Sequence, residues 1–351
     1  MLTFLNPAND FSCPPRLNPS MPSSLPKPNL VTLRFFAALS LMSLSSLSHG
    51  SENPFLGRWA LTIPGGGAGW LGVEDSNGTL RSSVLWGGGS VVPTASTKLD
   101  GDTLIVTRES KNKEGKVSTE TITAKVDGDS LSLTVLKRNS AGKDMGQPAA
   151  FAGKRIAELP ARPDLTQVKF GEPIQLLNGK DLAGWRLLKH ADNGWSVVDG
   201  VLQNRVVKAK DKHFGNLRTD AEFEDFNLKT EVRTQAGSNS GIYLRGIYEV
   251  QVMESFGKEL DSHHMGALYS RITPSVAAEK PIGEWQTLDI TLVDRHLTVI
   301  LNGQTIIDNQ PVLGCTGGAL TSDEFNPGPI YLQGDHTNVD YRNMVLRPVL
   351  K

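Results

Sequence analysis

The chain has 351 residues, and its 36 Lys plus Arg nearly balance 37 Asp plus Glu, for a net charge of −1. That length allows two domains of ordinary size, and nothing in the charge balance recommends a nucleic-acid partner. With 35 Gly, 20 Pro and little helical periodicity, the composition predicts short strands joined by tight turns, an all-β chain.

Residues 1–50 read as an N-terminal extension and a signal peptide. Lys27 and Arg34 precede an apolar, Ser-interrupted stretch over residues 35–47, and Ser48-His49-Gly50 offers small residues at the −3 and −1 positions of a cleavage site near Gly50. Met21 is an alternative start, because residues 1–20 are rich in Pro and Asn. The apolar stretch is short and Ser-rich for a membrane span, so no transmembrane anchor is expected and the destination is periplasmic or extracellular; an uncleaved anchor is the alternative. Cleavage removes Cys13 and leaves Cys315 as the one thiol, so no internal disulfide is expected. No His pattern surrounds Cys315, which reads as a small buried hydrophobe.

Residues 51–155 alternate strand-like runs with the turn dipeptides Asn77-Gly78, Asp100-Gly101 and Asp127-Gly128. This spacing predicts a small antiparallel β-barrel or sandwich. Gly57-Arg58-Trp59 at its first strand resembles lipocalin-like barrels. The runs Gly65-Gly66-Gly67 and Gly87-Gly88-Gly89 lack the Lys-Ser/Thr ending and the helix of a phosphate loop, and read as loops or bulges. Residues 156–169, with Pro160 and Pro163, fit a linker. Residues 170–351 form a second and larger β domain with turns at Asn178-Gly179, Asp199-Gly200 and Asn302-Gly303, as expected of a two-sheet sandwich.

Within it, residues 238–254 alternate with period two. Ile242, Leu244, Tyr248, Val250 and Val252 share one parity; Tyr243, Arg245, Glu249 and Gln251 share the other. One face can pack on a core while the other presents a cation, a carboxylate and an amide to a polar ligand. For Arg245 and Glu249 to face the same side, the connection near Gly246 must contain an odd number of residues. A three-residue loop over 246–248 sets Arg245 opposite Glu249 and Tyr243 opposite Gln251, whereas an even loop splits the group between faces.

Several phrases accompany this run in a fixed order: Leu177-Asn178-Gly179-Lys180-Asp181-Leu182-Ala183-Gly184-Trp185, Trp195 with Asp199-Gly200, Asn239-Ser240-Gly241-Ile242-Tyr243-Leu244-Arg245, Gly266-Ala267-Leu268-Tyr269, Gly283-Glu284-Trp285-Gln286 and Tyr341-Arg342-Asn343. Together they resemble the 3-keto-disaccharide hydrolase domain family over about residues 170–350. The resemblance implies a concanavalin A-like jelly-roll sandwich and an exported hydrolase that cleaves 3-keto-glycosides or disaccharides. A non-catalytic, lectin-like carbohydrate binder is the alternative, since the fold hosts both.

A ketone at C3 acidifies the proton on C2, so cleavage by β-elimination and hydration needs a base, a group facing the enolate oxygen and a proton source for the leaving oxygen. Glu249 is the candidate base and Arg245 the candidate enolate stabiliser. His336, in Gln333-Gly334-Asp335-His336, carries the second proton transfer or is itself the base. Gln251, Tyr243, Gln333 and Tyr269 would bind substrate, with Glu231 as a second carboxylate for the same cleft. Arg245 and Glu249 could equally be a cross-strand ion pair on a wet surface. No cofactor is certain; a divalent metal could be held by Glu249, Glu231 and His336. Trp185, Trp195 and Trp285 read as core rather than as sugar platforms. His263-His264 is adjacent rather than spaced for joint ligation.

Overall fold

A computed structural model describes residues 53–188, 192–207 and 209–351. The proposed signal segment, its cleavage point near Gly50 and Cys13 lie outside the described residues. Among the described residues there is no helix, and none long and apolar enough to cross a membrane.

The first sheet comprises β1 (Gly57–Thr62), β2 (Ala68–Ser76), β3 (Thr79–Trp86), β4 (Val92–Pro93), β5 (Ser96–Asp100), β6 (Thr103–Lys111), β7 (Val117–Asp127), β8 (Ser130–Arg138) and β9 (Ala149–Arg155). Its order, β4-β3-β2-β1-β9-β8-β7-β6-β5, is an antiparallel meander in which β9 returns to pair with β1. The edge strands β4 and β5 are joined by Thr94-Ala95, and Ser82 Oγ lies 2.6 Å from Thr97 Oγ1 across that seam, so the sheet curls into a barrel. Asn77-Gly78 makes a two-residue turn with positive φ at both positions, the backbone that its sequence favours. Trp59, Leu61, Leu71, Leu104, Val106 and Leu131 fill the interior. Arg155 lies 4.1 Å over the Trp59 ring.

The second part comprises β10 (Ile174–Gln175), β11 (Trp185–Leu187), β12 (Trp195–Val198), β13 (Val201–Asn204), β14 (Leu217–Thr219), β15 (Phe226–Thr234), β16 (Asn239–Leu244), β17 (Tyr248–Met253), β18 (Trp285–Val293), β19 (His296–Leu301), β20 (Gln304–Pro311), β21 (Tyr331–Leu332) and β22 (Val339–Pro348). They form two antiparallel sheets, β12-β13-β22-β15-β18-β19-β20 with β10 on β22, and β11-β14-β21-β16-β17. Phe226, Leu228, Val232, Leu288, Ile290 and Val299 of the first sheet pack against Ile242, Leu244, Tyr248, Val250 and Leu332 of the second. This is the expected all-β jelly-roll sandwich.

The outward face of β1–β3 contributes Ala60, Trp70 and Leu85 to the sandwich's own core cluster. Ser322 Oγ donates to the Leu61 carbonyl at 2.8 Å, and Arg271, 4.5 Å from the Trp70 ring, donates to the Cys315 carbonyl at 2.6 and 2.8 Å. Cys315 is fully buried, and burial pushes its thiol up to about 12, which suits an inert packing residue. Residues 156–169 carry no strand. Trp185 and Trp195 are buried with their ring nitrogens donating to the Leu176 and Gly215 carbonyls. Trp285 lies half-buried, with the Arg233 and Arg342 guanidinium groups 4.7 and 4.0 Å from its ring.

Candidate active site

The alternation over residues 238–254 folds into the hairpin β16–β17. Ile242, Leu244, Tyr248, Val250 and Val252 enter the core, while Tyr243, Glu249 and Gln251 lie on the opposite face of the five-stranded sheet. The connection is odd, with three residues, but it is Arg245-Gly246-Ile247 rather than 246–248. Arg245 and Gly246 take φ of 53° and 68°, so the turn begins one residue earlier than the glycine alone indicated. Tyr243 therefore opposes Glu249, and Gln251 opposes Gly241.

This register removes Arg245 from the polar face. Its buried guanidinium donates to the Glu324 carbonyl at 2.9 Å and the Asn326 carbonyl at 2.5 Å, so it ties the turn to the 324–326 segment. Glu231 is displaced as well. It stands on the outward side of β15 in the other sheet, paired with Arg342 and accepting from Asn343 Nδ2 at 3.1 Å. The metal set Glu249, Glu231 and His336 is thus not assembled, and among the described residues no group of three or more His, Cys, Asp or Glu side chains is arranged to hold a metal ion.

The remaining polar residues converge. Tyr243, Glu249, Tyr269, Gln333 and His336 line a pocket of about 300 Å³, joined by Asn216, Asn239, Tyr331, Asp335 and the glycines 88, 89, 317 and 318. Gln251 is buried beside it, with its Nε2 3.4 Å from Asn239 Oδ1. Glu249 is only 3% exposed. Its carboxyl lies over Gly241, where a Cβ would come within 2.2 Å of Oε1, so the register partner of Gln251 is a glycine that makes room for the acid. Burial pushes the Glu249 carboxyl up to about 8; the Tyr243 hydroxyl and His336 offset part of that rise, and Asp335 adds to it.

Tyr243 and Tyr331 stack with centroids 4.3 Å apart. The Tyr243 hydroxyl donates to the Gly317 carbonyl at 2.7 Å, whereas the Tyr331 hydroxyl accepts from Asn216 Nδ2 at 2.6 Å and keeps its own proton for a ligand. Burial raises the pKa of both phenols, so they stay protonated. Gln333 Oε1 is buried without a partner, an acceptor waiting for a hydroxyl. His336 Nδ1 lies 2.5 Å from Asp335 Oδ1, and that hydrogen bond raises the imidazole pKa. Among the lining residues His336 is the one that can carry a positive charge.

A buried carboxyl of raised pKa, an ionisable imidazole and an unpaired amide oxygen occupy one pocket. Residues 172–347 match the 3-keto-alpha-glucoside-1,2-lyase-like domain. The chain belongs to this family. Its 3-keto-alpha-glucoside-1,2-lyase-like domain therefore carries all of the pocket except Gly88 and Gly89, and marks the protein as carbohydrate-active. A candidate glycosyl hydrolase from Parabacteroides distasonis ATCC 8503 is similar at 28% identity over 55% of this chain and 94% of its own, with a TM-score of 0.42. A second from the same organism shows 24% identity, coverage of 51% and 100%, and a TM-score of 0.39. The carbohydrate binding module CBM66 from Bacillus subtilis shows 13% identity, coverage of 46% and 93%, and a TM-score of 0.29. No curated protein is similar to the chain.

Tyr331, absent from the sequence-based set, had a readable signal. In Ile330-Tyr331-Leu332-Gln333 the two apolar residues are buried in the core and the two polar ones line the pocket, the same period-two pattern as residues 238–254. Asn216 and the glycine pairs carried no such local signal.

Proposed function

We propose that this protein cleaves 3-keto-glycosides by proton abstraction at C2, β-elimination and hydration, with Glu249 as the base. The observation that carries the reading is the Glu249 carboxyl, buried at the pocket floor with its pKa pushed up to about 8. A base matched to near-neutral pH suits removal of a proton from carbon.

Glu249 takes the C2 proton, and the C2–H electron pair forms the enolate, whose oxygen at C3 accepts a hydrogen bond from the Tyr331 hydroxyl. The enolate collapses to restore the C3 ketone and form a C1–C2 double bond, and the C1–O bond breaks. His336 delivers a proton to the departing oxygen, the role its raised pKa and its Asp335 partner support. Water then adds at C1 while C2 regains a proton, giving the free 3-keto sugar. Asn216, Asn239 and Gln333 orient ring hydroxyls. Arg245 takes no part in this scheme.

We further take residues 53–155 as a domain joined through 156–169 to the jelly roll, and the enzyme as exported on the strength of residues 34–50. The test is turnover of a 3-keto-glucoside in D2O. Elimination places deuterium at C2 of the released sugar, while direct displacement by water leaves C2 unlabelled and overturns the scheme. Binding of the glycoside without aglycone release identifies a lectin-like protein instead.

A further inference from the structure

One of the pocket's walls comes from outside the jelly roll. The β3–β4 loop of the barrel inserts Gly88 and Gly89 into the pocket lining. The Gly318 amide donates to the Gly87 carbonyl at 3.2 Å, Ser90 Oγ lies 2.8 Å from His263 Nε2, and the Val91 amide donates to Ser270 Oγ at 2.8 Å. A Cβ on Gly317 would fall 2.0 Å from the Gly89 carbonyl oxygen. At Gly89 and Gly317 loop and sandwich therefore meet backbone against backbone, with no room there for a side chain or a sugar ring.

The other end of the pocket is different. Asp335 and His336 also line a second hollow of about 670 Å³, together with the apolar Val206, Val207 and Phe214 and the basic Lys210, Lys212 and His213. Val207 is 64% exposed, more than any other large apolar side chain among the described residues. The imidazole thus stands on the ridge between a small polar pocket closed by the barrel loop and a larger, partly apolar hollow.

Resting on the function proposed above, we infer that the small pocket takes a single terminal 3-keto-glycosyl unit, that the barrel loop blocks extension beyond it, and that the leaving group lies across His336 in the second hollow. The barrel is then a specificity element, and the substrates are end-linked glycosides with an apolar or aromatic leaving group. Internal residues of a glycan are excluded.

Gly88 provides the probe. Its φ is not left-handed and an added Cβ meets nothing within 4 Å, so Gly88→Leu adds bulk to this lining loop without straining the barrel. The full chain is assayed on an aryl 3-keto-glucoside, on the methyl 3-keto-glucoside, and on the aryl compound capped with a further sugar at O4. The expected results are turnover of the two uncapped compounds, none of the capped one, and a loss of about tenfold or more in kcat/KM for Gly88→Leu at an unchanged melting temperature. Val207→Asp raises KM for the aryl compound more than for the methyl one. Equal turnover of the capped compound, or unchanged kcat/KM in Gly88→Leu, overturns the inference. If the wild-type chain turns over nothing, the functional reading fails, and saturation-transfer NMR with the 3-keto sugar decides the rest. Contact present in wild type and lost in Gly88→Leu upholds the loop as a pocket wall; contact in both, or in neither, overturns it.

Discussion

Replacing Glu249 with Gln should make the folded chain more tolerant of alkali, because it removes an acid that the fold does not ionise readily. Burial pushes that carboxyl from an ordinary 4.5 up to about 8. The folded state therefore keeps its proton over a range in which the unfolded chain has lost it. The contribution to stability is complete below about pH 4.5, declines as pH rises to about 8 and is flat above that. The gap between the two values corresponds to a difference of about 5 kcal/mol between the two ends of the range, at the usual 1.4 kcal/mol per tenfold. At roughly 2–4 °C per kcal/mol for a chain of this class, the wild type should fall behind Glu249→Gln by on the order of 10 °C between pH 4.5 and pH 9. Paired thermal and urea melts across that range measure the effect. Any fixed cost of the amide is the same at every pH and cancels from the difference, as do the other buried acids, Glu279 and Glu324. Parallel stability curves would refute the argument, and with it the claim that Glu249 is a high-pKa base.

In the proposed scheme kcat/KM on a 3-keto-glucoside needs Glu249 ionised and His336 protonated, so its pH profile should be bell-shaped with one ascending and one descending limb. His336→Ala should cost about 10²–10⁴-fold in kcat and lose that descending limb. Gly241→Ala, whose new Cβ would press on Glu249 Oε1, should lower kcat by about 10²-fold with the remaining pocket intact in a crystal structure; unchanged kcat would show that the carboxylate position is not critical. Arg245→Ala should cost about 1–3 kcal/mol of stability in urea melts, through two buried carbonyls left unpaired, while kcat per folded molecule stays near wild type. Glu231→Ala should leave kcat/KM unchanged, since Glu231 pairs with Arg342 of its own sheet, away from the pocket.

Much of the fold was legible because its causes are local. Asn77-Gly78, Asp199-Gly200 and Asn302-Gly303 all form tight turns with positive φ at both residues. The parity of residues 238–254 separated core from site face correctly, because side-chain direction in a strand depends only on counting. The count failed at one point: Arg245 accepts a left-handed backbone that glycine was expected to supply, which moved the turn by a residue. Arg245 looked catalytic and Glu231 looked substrate-binding, as charged groups near other polar residues. Their partners, the 324–326 carbonyls and Arg342, lie about a hundred residues away in sequence and could not be weighed from spacing. Tyr331 and Asn216 enter the pocket through strand pairing of β21 with β14 and β16, which is a property of topology rather than of any one segment.

The glycine contact between Gly89 and Gly317 has a consequence for anyone who would recombine this protein. The matched family segment begins at residue 172, yet the cavity it serves is completed by a loop more than eighty residues upstream. A fragment cut at the linker would carry Glu249, Tyr331 and His336 and still present an open-sided trough. Conversely, exchanging the β3–β4 loop alone offers a way to retune which sugars enter, leaving Glu249, Tyr331 and His336 untouched.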